Sequence, residues 1–245
     1  MEIKKQYDNK NFFEKYSQMP RSNKGLTGAG EWHEFKKLLP DFEGKVVLDL
    51  GCGYGWHAKY AADHGAKEVI AIDSSEKMIE VAKKTNFDDK ITYEVDDIGS
   101  LNLKSDYFDI VLSSLVLHYI EDLNSLFKNL ANSMKDNGYF LFTVEHPVFT
   151  AEGSQDWVYD KKGNISHFPI DNYFNEGLRE STFLNENIQK FHHTLTSYFQ
   201  ALKESHFIID SLIEPMPPEE MRDLPEMVGE MRRPMMLIIK SILNK

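Results

Sequence analysis

The chain has 245 residues, 41% hydrophobic and 12% aromatic, enough for the full core of one α/β domain with an insertion, since a domain typically takes roughly 100–200 residues. A net charge of −11, with no basic stripe carrying interleaved aromatics, excludes nucleic acid as a partner, and a lone cysteine, Cys52, excludes internal disulfides, cysteine zinc knuckles and iron–sulfur clusters. No apolar run approaches the roughly 20 residues that cross a bilayer, and the start MEIKKQYDNK lacks the apolar stretch of a secretory signal, so a cytoplasmic protein without a membrane partner is expected.

Up to residue 44, Phe12, Phe13 and Tyr16 form an amphipathic patch, and NKGLTGAGEW follows, whose Gly25, Gly28 and Gly30 are expected to hinge a lid. Arg21, Trp32 and His33 are further lid candidates. From residue 45 short apolar runs alternate with helical periodicity: a strand KVVLDL, a helix over about 55–64, a strand KEVIAI, a helix over about 74–86 and a strand ITYEV. After a polar loop the apolar run in YFDIVLSS reads as a strand buried on both faces. Leu123, Leu126, Phe127, Leu130 and Met134 recur at spacings of three and four, an amphipathic helix, and Gly138 opens the strand YFLFTVE. Strands alternating with crossover helices predict a doubly wound, Rossmann-like α/β sheet over this core, residues 45–145.

Residues 146–192 break the rhythm with scattered aromatics (Phe149, Trp157, Tyr159, Phe168, Tyr173, Phe174) and are read as an insertion over the sheet. From 193 onward a helix through Leu195, Tyr198, Phe199 and Leu202 precedes two final strands, FIIDSLIE and MMLIIKSIL, separated by a proline-rich loop.

The stretch VLDLGCGYGW passes from the first strand to the first helix, the place where open α/β sheets take ligands. Its glycines permit either a tight turn or the close approach of a ligand to the backbone. Asp73 ends the second strand, 22 residues beyond Gly51, where a carboxylate can accept from both ribose hydroxyls of an adenosine cofactor, either a nicotinamide dinucleotide or S-adenosylmethionine. Dinucleotide binders favour G-x-G-x-x-G, whereas Trp56 stands at the third glycine's position and would obstruct a pyrophosphate at the helix start.

VLDLGCGYG, AIDSSEKMIEVAKK, YEVDDIGSL and FDIVLSSLVLHYIEDL followed by GYFLFTVEHP together resemble the class I S-adenosylmethionine-dependent methyltransferases, in particular the small-molecule group called type 11. The resemblance is strong over about residues 45–147 and loose elsewhere; the N-terminal YSQMPRSNKGLTGAGEW and the terminal RPMMLIIKS are similar to a bacterial subgroup whose acceptor is unassigned. It implies a seven-stranded sheet, mostly parallel with an antiparallel last strand, and S-adenosyl-L-methionine as cofactor. By the same resemblance Asp49 and the backbone of Gly51, Cys52 and Gly53 would hold the methionine end. Asp73 beside Ser74 would hold the ribose, and Met78 would pack on adenine. Asp97, in preference to its neighbour Asp96, would accept from the adenine amino group while the Ile98 amide donates to the ring. The backbone of Ser113, Ser114 and Leu115 would line the methionine moiety. Cys52 is read as a small filler of the turn; the alternatives are core packing for Met78 and a plain strand end for the two serines.

An activated sulfonium needs mainly an aligned nucleophile with water excluded, and a base helps when the acceptor is a hydroxyl or an acidic carbon. Of nine histidines, His118 after the fourth strand, His146 after the fifth and His192 at the return of the insertion are the candidates for the acceptor site, with His193 behind them and Glu145 a possible orienter of His146. Relatives often carry His-Arg where this chain has His192-His193; if that arginine binds an acceptor carboxylate, its loss weakens the case for an anionic acceptor. No carboxylate motif of the metal-dependent catechol methyltransferases is present, so no metal is expected. The cysteine of cytosine methylation and the Asn/Asp-Pro-Pro-aromatic motif of adenine methylation are missing too. The aromatics of residues 146–192 are expected to cover a small-molecule acceptor. A nicotinamide-dependent oxidoreductase and a non-catalytic S-adenosylmethionine-binding module stay as alternatives. His206 stands where relatives have a glycine before the sixth strand. The oligomeric state is not legible.

Overall fold

The computed structural model describes residues 4–224 and 227–245; residues 1–3 of the expected lid and Pro225 and Glu226 of the proline-rich loop lie outside them. The N-terminal segment is four short helices, α1 (Lys4–Tyr7), α2 (Lys10–Ser17), α3 (Pro20–Asn23) and α4 (Trp32–Leu38), with a 3-10 turn at Gly25–Gly28. Then come β1 (Val46–Leu50), α5 (Trp56–Asp63), β2 (Glu68–Asp73), α6 (Glu76–Thr85), β3 (Ile91–Val95), β4 (Phe108–Ser114), α7 (Leu123–Ser133) and β5 (Met134–Glu145). The chain ends with α8 (Pro147–Thr150), β6 (Val158–Tyr159), β7 (Ile165–His167), β8 (Gly177–Phe183), β9 (Glu186–His192), α9 (Leu195–Glu204), β10 (Phe207–Ile213) and β11 (Met236–Leu243).

Seven strands form one sheet in the order β10-β11-β5-β4-β1-β2-β3. The pairs β1–β2, β2–β3, β1–β4 and β4–β5 are parallel, and β11 is antiparallel to both of its neighbours. Alternation along β1 sends Val46, Leu48 and Leu50 into a core with α7 and α9, while Val47 faces the opposite core with α5 and α6. Burial of both faces explains the unbroken apolar runs of the central strands. Leu123, Leu126, Phe127 and Leu130 of α7 all sit in the first core, as their spacing predicts, whereas Met134, expected on the same helix, already opens β5 ahead of Gly138; Asp122 caps the helix by accepting from the Ser125 N–H at 3.0 Å.

Two departures from expectation have local causes. The stretch 146–192 is not irregular: β8 and β9 form an antiparallel hairpin from Gly177↔His192 to Phe183↔Glu186. Its turn is Leu184-Asn185, both left-handed at φ 53° and 60°, a conformation that two-residue hairpins need but that leucine does not advertise. The lid glycines also do other work than hinging. A Cβ on Gly28 would lie 2.2 Å from the Pro20 carbonyl oxygen, and one on Gly25 would lie 2.9 Å from the Trp56 ring. They let α3 and the 3-10 turn pack tightly, and Trp56 is the surface on which Gly25 rests.

His206 occupies the left-handed exit of α9 at φ 64°, exposed, with its N–H donating to the Lys203 carbonyl at 3.1 Å. Glycine adopts this conformation without a Cβ penalty, so His206→Gly is expected to raise stability by about 1 kcal/mol. A higher urea midpoint at unchanged m-value checks it; a lower midpoint would mean the imidazole makes a stabilising contact. No helix of the described residues is long and apolar enough to cross a membrane.

Candidate active site

Strand order reverses between β1 and β4, and the loops leaving the carboxyl ends of the strands open there into a cavity of about 1130 Å³. A single ligand site takes roughly 300–1,000 Å³, so this volume suits two occupants. At one end its wall carries Gly51, Gly53, Asp73, Ser74, Met78, Asp97, Ile98, Ser114 and Leu115. Asp96 is not part of it.

The glycine loop is shaped from beneath. Gly51, Gly53 and Gly55 have φ of 74°, 53° and 78°, and the N–H groups of Gly51 and Cys52 donate to the Ile72 carbonyl at 2.8 and 2.9 Å. A Cβ on Gly53 would meet no protein atom within 4 Å, so the cavity comes directly onto this backbone. Asp73 accepts from Gly53 N–H at 2.8 Å and from Ser75 N–H at 2.9 Å, one bond to each carboxylate oxygen. Burial raises its carboxyl above the ordinary range and those backbone bonds oppose the rise. Met78 is buried one turn into α6, and Asp97 accepts from Gly99 N–H at 3.0 Å, fixing the turn that presents Ile98. Leu115 is held left-handed at φ 57° by its N–H bond to the Thr143 carbonyl at 2.9 Å. This set supplies a carboxylate for a ribose, an apolar slot for a purine and open backbone for an amino-acid tail, and so fits S-adenosylmethionine.

Three of the expected residues lie off the wall. Asp49 is 1% exposed under the loop and accepts from Ala58 N–H at 3.0 Å, capping α5; desolvation pushes its carboxyl up to about 7. Cys52 is buried in the turn with its thiol raised by burial. Ser113 donates to the Leu50 carbonyl at 3.0 Å and ties β4 to β1.

The second end is built differently from expectation. None of Phe149, Trp157, Tyr159, Phe168, Tyr173 and Phe174 lines the cavity; of the insertion only Phe183 and Lys190 do. The far wall comes instead from the loop between β10 and β11: Pro215, Pro217, Met221, Leu224, Met227 and Glu230, with Met235 and Met236 behind. Phe149, Trp157 and Phe168 surround the Arg233 guanidinium at 4.3, 5.1 and 4.7 Å, and Arg233 grips Glu230 at 2.8 and 3.2 Å. The aromatics therefore anchor the cover rather than touch its contents.

The lid closes the roof with Tyr7, Tyr16, Met19, Arg21 and Glu31. Asp8 docks it on α6 by accepting from Ser75 Oγ at 2.6 Å, and Arg21 holds both oxygens of the buried Glu31 at 2.8 and 3.0 Å. Trp32 faces away, packed on Phe35, His57 and Tyr60.

Of the three histidine candidates only His118 reaches the cavity. His146 caps α8 by accepting from Val148 N–H at 3.0 Å and meets Glu214 at 2.9 Å through Nε2. His192 is fully buried between Thr150 Oγ1 at 2.7 Å and the Tyr173 carbonyl at 2.8 Å, and His193 bonds the Ile120 carbonyl at 2.8 Å. With both ring nitrogens taken, His146 and His192 hold the insertion to the sheet. Glu145 does not orient His146; it turns to Lys190 at 2.6 Å and Gln155 at 2.7 Å. Burial alone would raise the Glu145 carboxyl, and the Lys190 ammonium and His118 hold it below its usual range. Burial lowers His118 to about 4, so its ring is neutral near neutral pH.

Residues 48–142 match the family described as Methyltransferase domain. A crystal structure from Listeria monocytogenes, of a protein assigned as an S-adenosylmethionine dependent methyltransferase, is 52% identical over 90% of this chain and all of that one, with a TM-score of 0.86. An S-adenosylmethionine dependent methyltransferase from Mesorhizobium loti is 38% identical over 89% of this chain and all of that one, with a TM-score of 0.82. Ubiquinone biosynthesis O-methyltransferase from Coxiella burnetii is 35% identical over 44% of this chain and 47% of its own length.

Proposed function

Because the chain belongs to the S-adenosylmethionine-dependent methyltransferases, we propose that it transfers the methyl group of that cofactor to a small molecule held in the methionine-walled end of the cavity. The observation that carries this is one continuous cavity lined both by the adenosine-fitting residues and by the apolar second end, with Ser114, Leu115 and Val116 in its wall. Lid and cover overhang that space from two sides, an arrangement that limits water at the reacting atoms, which favours methyl transfer by proximity. The net charge of −11 argues against a nucleic acid.

In this proposal the Asp73 carboxylate accepts from the ribose hydroxyls, and Asp97 and the Ile98 N–H take the purine edge. Met78 packs on the purine face. The backbone at Gly51, Gly53, Ser114 and Leu115 receives the amino-acid end, with Asp49 and Cys52 shaping the loop from below. The cofactor supplies an electrophilic methyl on a cationic sulfur, while His118 faces the acceptor.

Removing the Asp73 carboxylate deletes charge-assisted hydrogen bonds worth roughly 1.5–3 kcal/mol. Asp73→Ala is therefore expected to weaken S-adenosylhomocysteine binding by about 10- to 100-fold in a calorimetric titration. Unchanged affinity would remove Asp73 from the ribose. Acceptor size is tested with methyl-labelled cofactor and a cell extract separated by ultrafiltration: label is expected in the low-mass fraction, and label on protein would overturn a small-molecule acceptor.

A further inference from the structure

Resting on the methyltransferase assignment above, we propose that the acceptor end is an oxyanion site: the nucleophile is an ionised oxygen on an apolar body, held by Lys190 and His118, with no general base. A count of hydrogen-bond donors and acceptors leads there. His118 Nδ1 accepts from the Glu145 N–H at 3.4 Å, so the proton of this neutral ring sits on Nε2, which has no partner among the described residues and can only donate. The Lys190 ammonium, nearly buried on the inward face of β9, gives one hydrogen to Glu145 Oε1 at 2.6 Å and one to Gln155 Oε1 at 3.0 Å. Its third hydrogen has no hydrogen-bond partner among the described residues, the Phe183 ring lying 5.7 Å away. Tyr7 and Tyr119 share one hydrogen bond at 3.0 Å between two hydroxyls, which leaves one hydroxyl hydrogen over. These groups form one contiguous set, because the His118 and Tyr119 rings are 4.4 Å apart and Glu145 bridges His118 to Lys190.

The acceptors around them are already engaged. Glu145 holds Lys190 on one oxygen and Gln155 on the other; Glu31 is neutralised by Arg21 and Glu230 by Arg233. An ammonium acceptor would find no unpaired negative charge at this end, and for a hydroxyl acceptor the neighbouring carboxylate, Glu145, is held below its usual range by Lys190 and is a poor base. An oxyanion finds three donors. The body it rides on is set by Met221, Leu224, Met227, Met235, Met236 and Phe183, a polarisable apolar wall suited to a flat or chain-like group. Lys190 also answers the His192-His193 departure, because a cation still reaches the cavity from three residues before His193, on the buried face of β9.

The chemistry balances without a base. The acid's proton is lost to solvent on binding. In the transfer step the oxyanion's lone pair forms the new O–CH3 bond and the electron pair of the broken C–S bond stays on sulfur, so one negative and one positive charge cancel and no proton moves.

The test uses S-adenosylhomocysteine-loaded protein and 4-nitrophenol, whose ionised form is read by its visible absorbance. Wild type is expected to lower the apparent pKa of the bound phenol by about one unit or more. Lys190→Met should abolish the shift with S-adenosylhomocysteine affinity intact, and Lys190→Arg should restore most of it. If Lys190→Met fails to fold, the wild-type shift still decides the matter. Binding of 4-nitrobenzoate that depends on Lys190, without ionisation of the phenol, supports the oxyanion site with a carboxylate as its natural occupant. Binding of neutral nitrophenol unaffected by Lys190→Met, binding of neither probe, or preference for benzylamine would overturn the proposal. Failure of S-adenosylhomocysteine itself to bind would instead strike the methyltransferase assignment.

Discussion

Gly51→Ala is expected to destabilise the protein by about 3 kcal/mol or more, combining the cost of a left-handed non-glycine residue with overpacking of a closed site. Gly51 sits at φ 74°, and its Cβ would lie 2.2 and 2.8 Å from the two γ-carbons of Val116 and 3.0 Å from its Cβ. No rotation of the valine relieves the last of these. Val116 is itself cavity wall, so the damage reaches the site as well as the fold. Gly53→Ala separates the two roles of the loop. Its φ is 53° and its Cβ would meet no protein atom, so a stability loss of only about 1 kcal/mol is expected, together with weaker S-adenosylhomocysteine binding because the methyl group projects into the cofactor's space. Urea unfolding and calorimetry on the two variants check this. Equal stability losses, or undiminished cofactor affinity in Gly53→Ala, would mean the glycines serve only the turn.

The second large effect is a pH dependence built under that loop. Asp49 is 1% exposed and its carboxyl is pushed up to about 7, by desolvation first, with the Ala58 N–H opposing and the charge of Asp73 adding to the rise. In the unfolded chain the same group titrates near 3.9, so between these values the folded state holds a proton that the unfolded state has lost. Stability from this group is therefore fully present below about pH 4 and falls as pH rises through 7. A gap of about three units corresponds to an order of 4 kcal/mol. Asp49→Asn keeps an oxygen for the Ala58 N–H but never ionises. In the cofactor-free protein the variant is expected to lie close to wild type near pH 4 and to exceed it by several kcal/mol at pH 8. Denaturant curves at both values test this; a constant offset between variant and wild type would show that Asp49 ionises at little cost.

What was legible in the sequence is what is local. The glycine loop, Asp73 and the Asp97-Ile98 turn stand in fixed register to strand ends, so the apolar runs that declare the strands also place them on one edge. The α7 stripe was readable for the same reason. The second end of the cavity was not, because it is assembled from segments far apart in sequence: Tyr7, His118, Lys190 and the loop 215–236. Position alone nominated His146 and His192, but their ring nitrogens are consumed by Val148, Glu214, Thr150 and Tyr173, contacts that no spacing reveals. Lys190 carries no pattern at all as a single lysine in QKFHH. One signal was available and unread. Six of the chain's ten methionines fall in residues 216–236, and such a concentration beside prolines suits an adaptable apolar wall better than a plain connector.

The arrangement of the whole site is tested most directly by the crystal structure of the complex with S-adenosylhomocysteine. The ribose hydroxyls are expected on Asp73, the purine between Met78 and Ile98 with its amino group on Asp97, and the amino-acid tail along Gly51, Gly53 and Ser114–Leu115. The space bounded by His118, Lys190 and the methionine wall should stay free of that ligand. An adenosyl group lodged against Met221 and Met227, or a ribose away from Asp73, would contradict the division of the cavity into a cofactor end and an acceptor end.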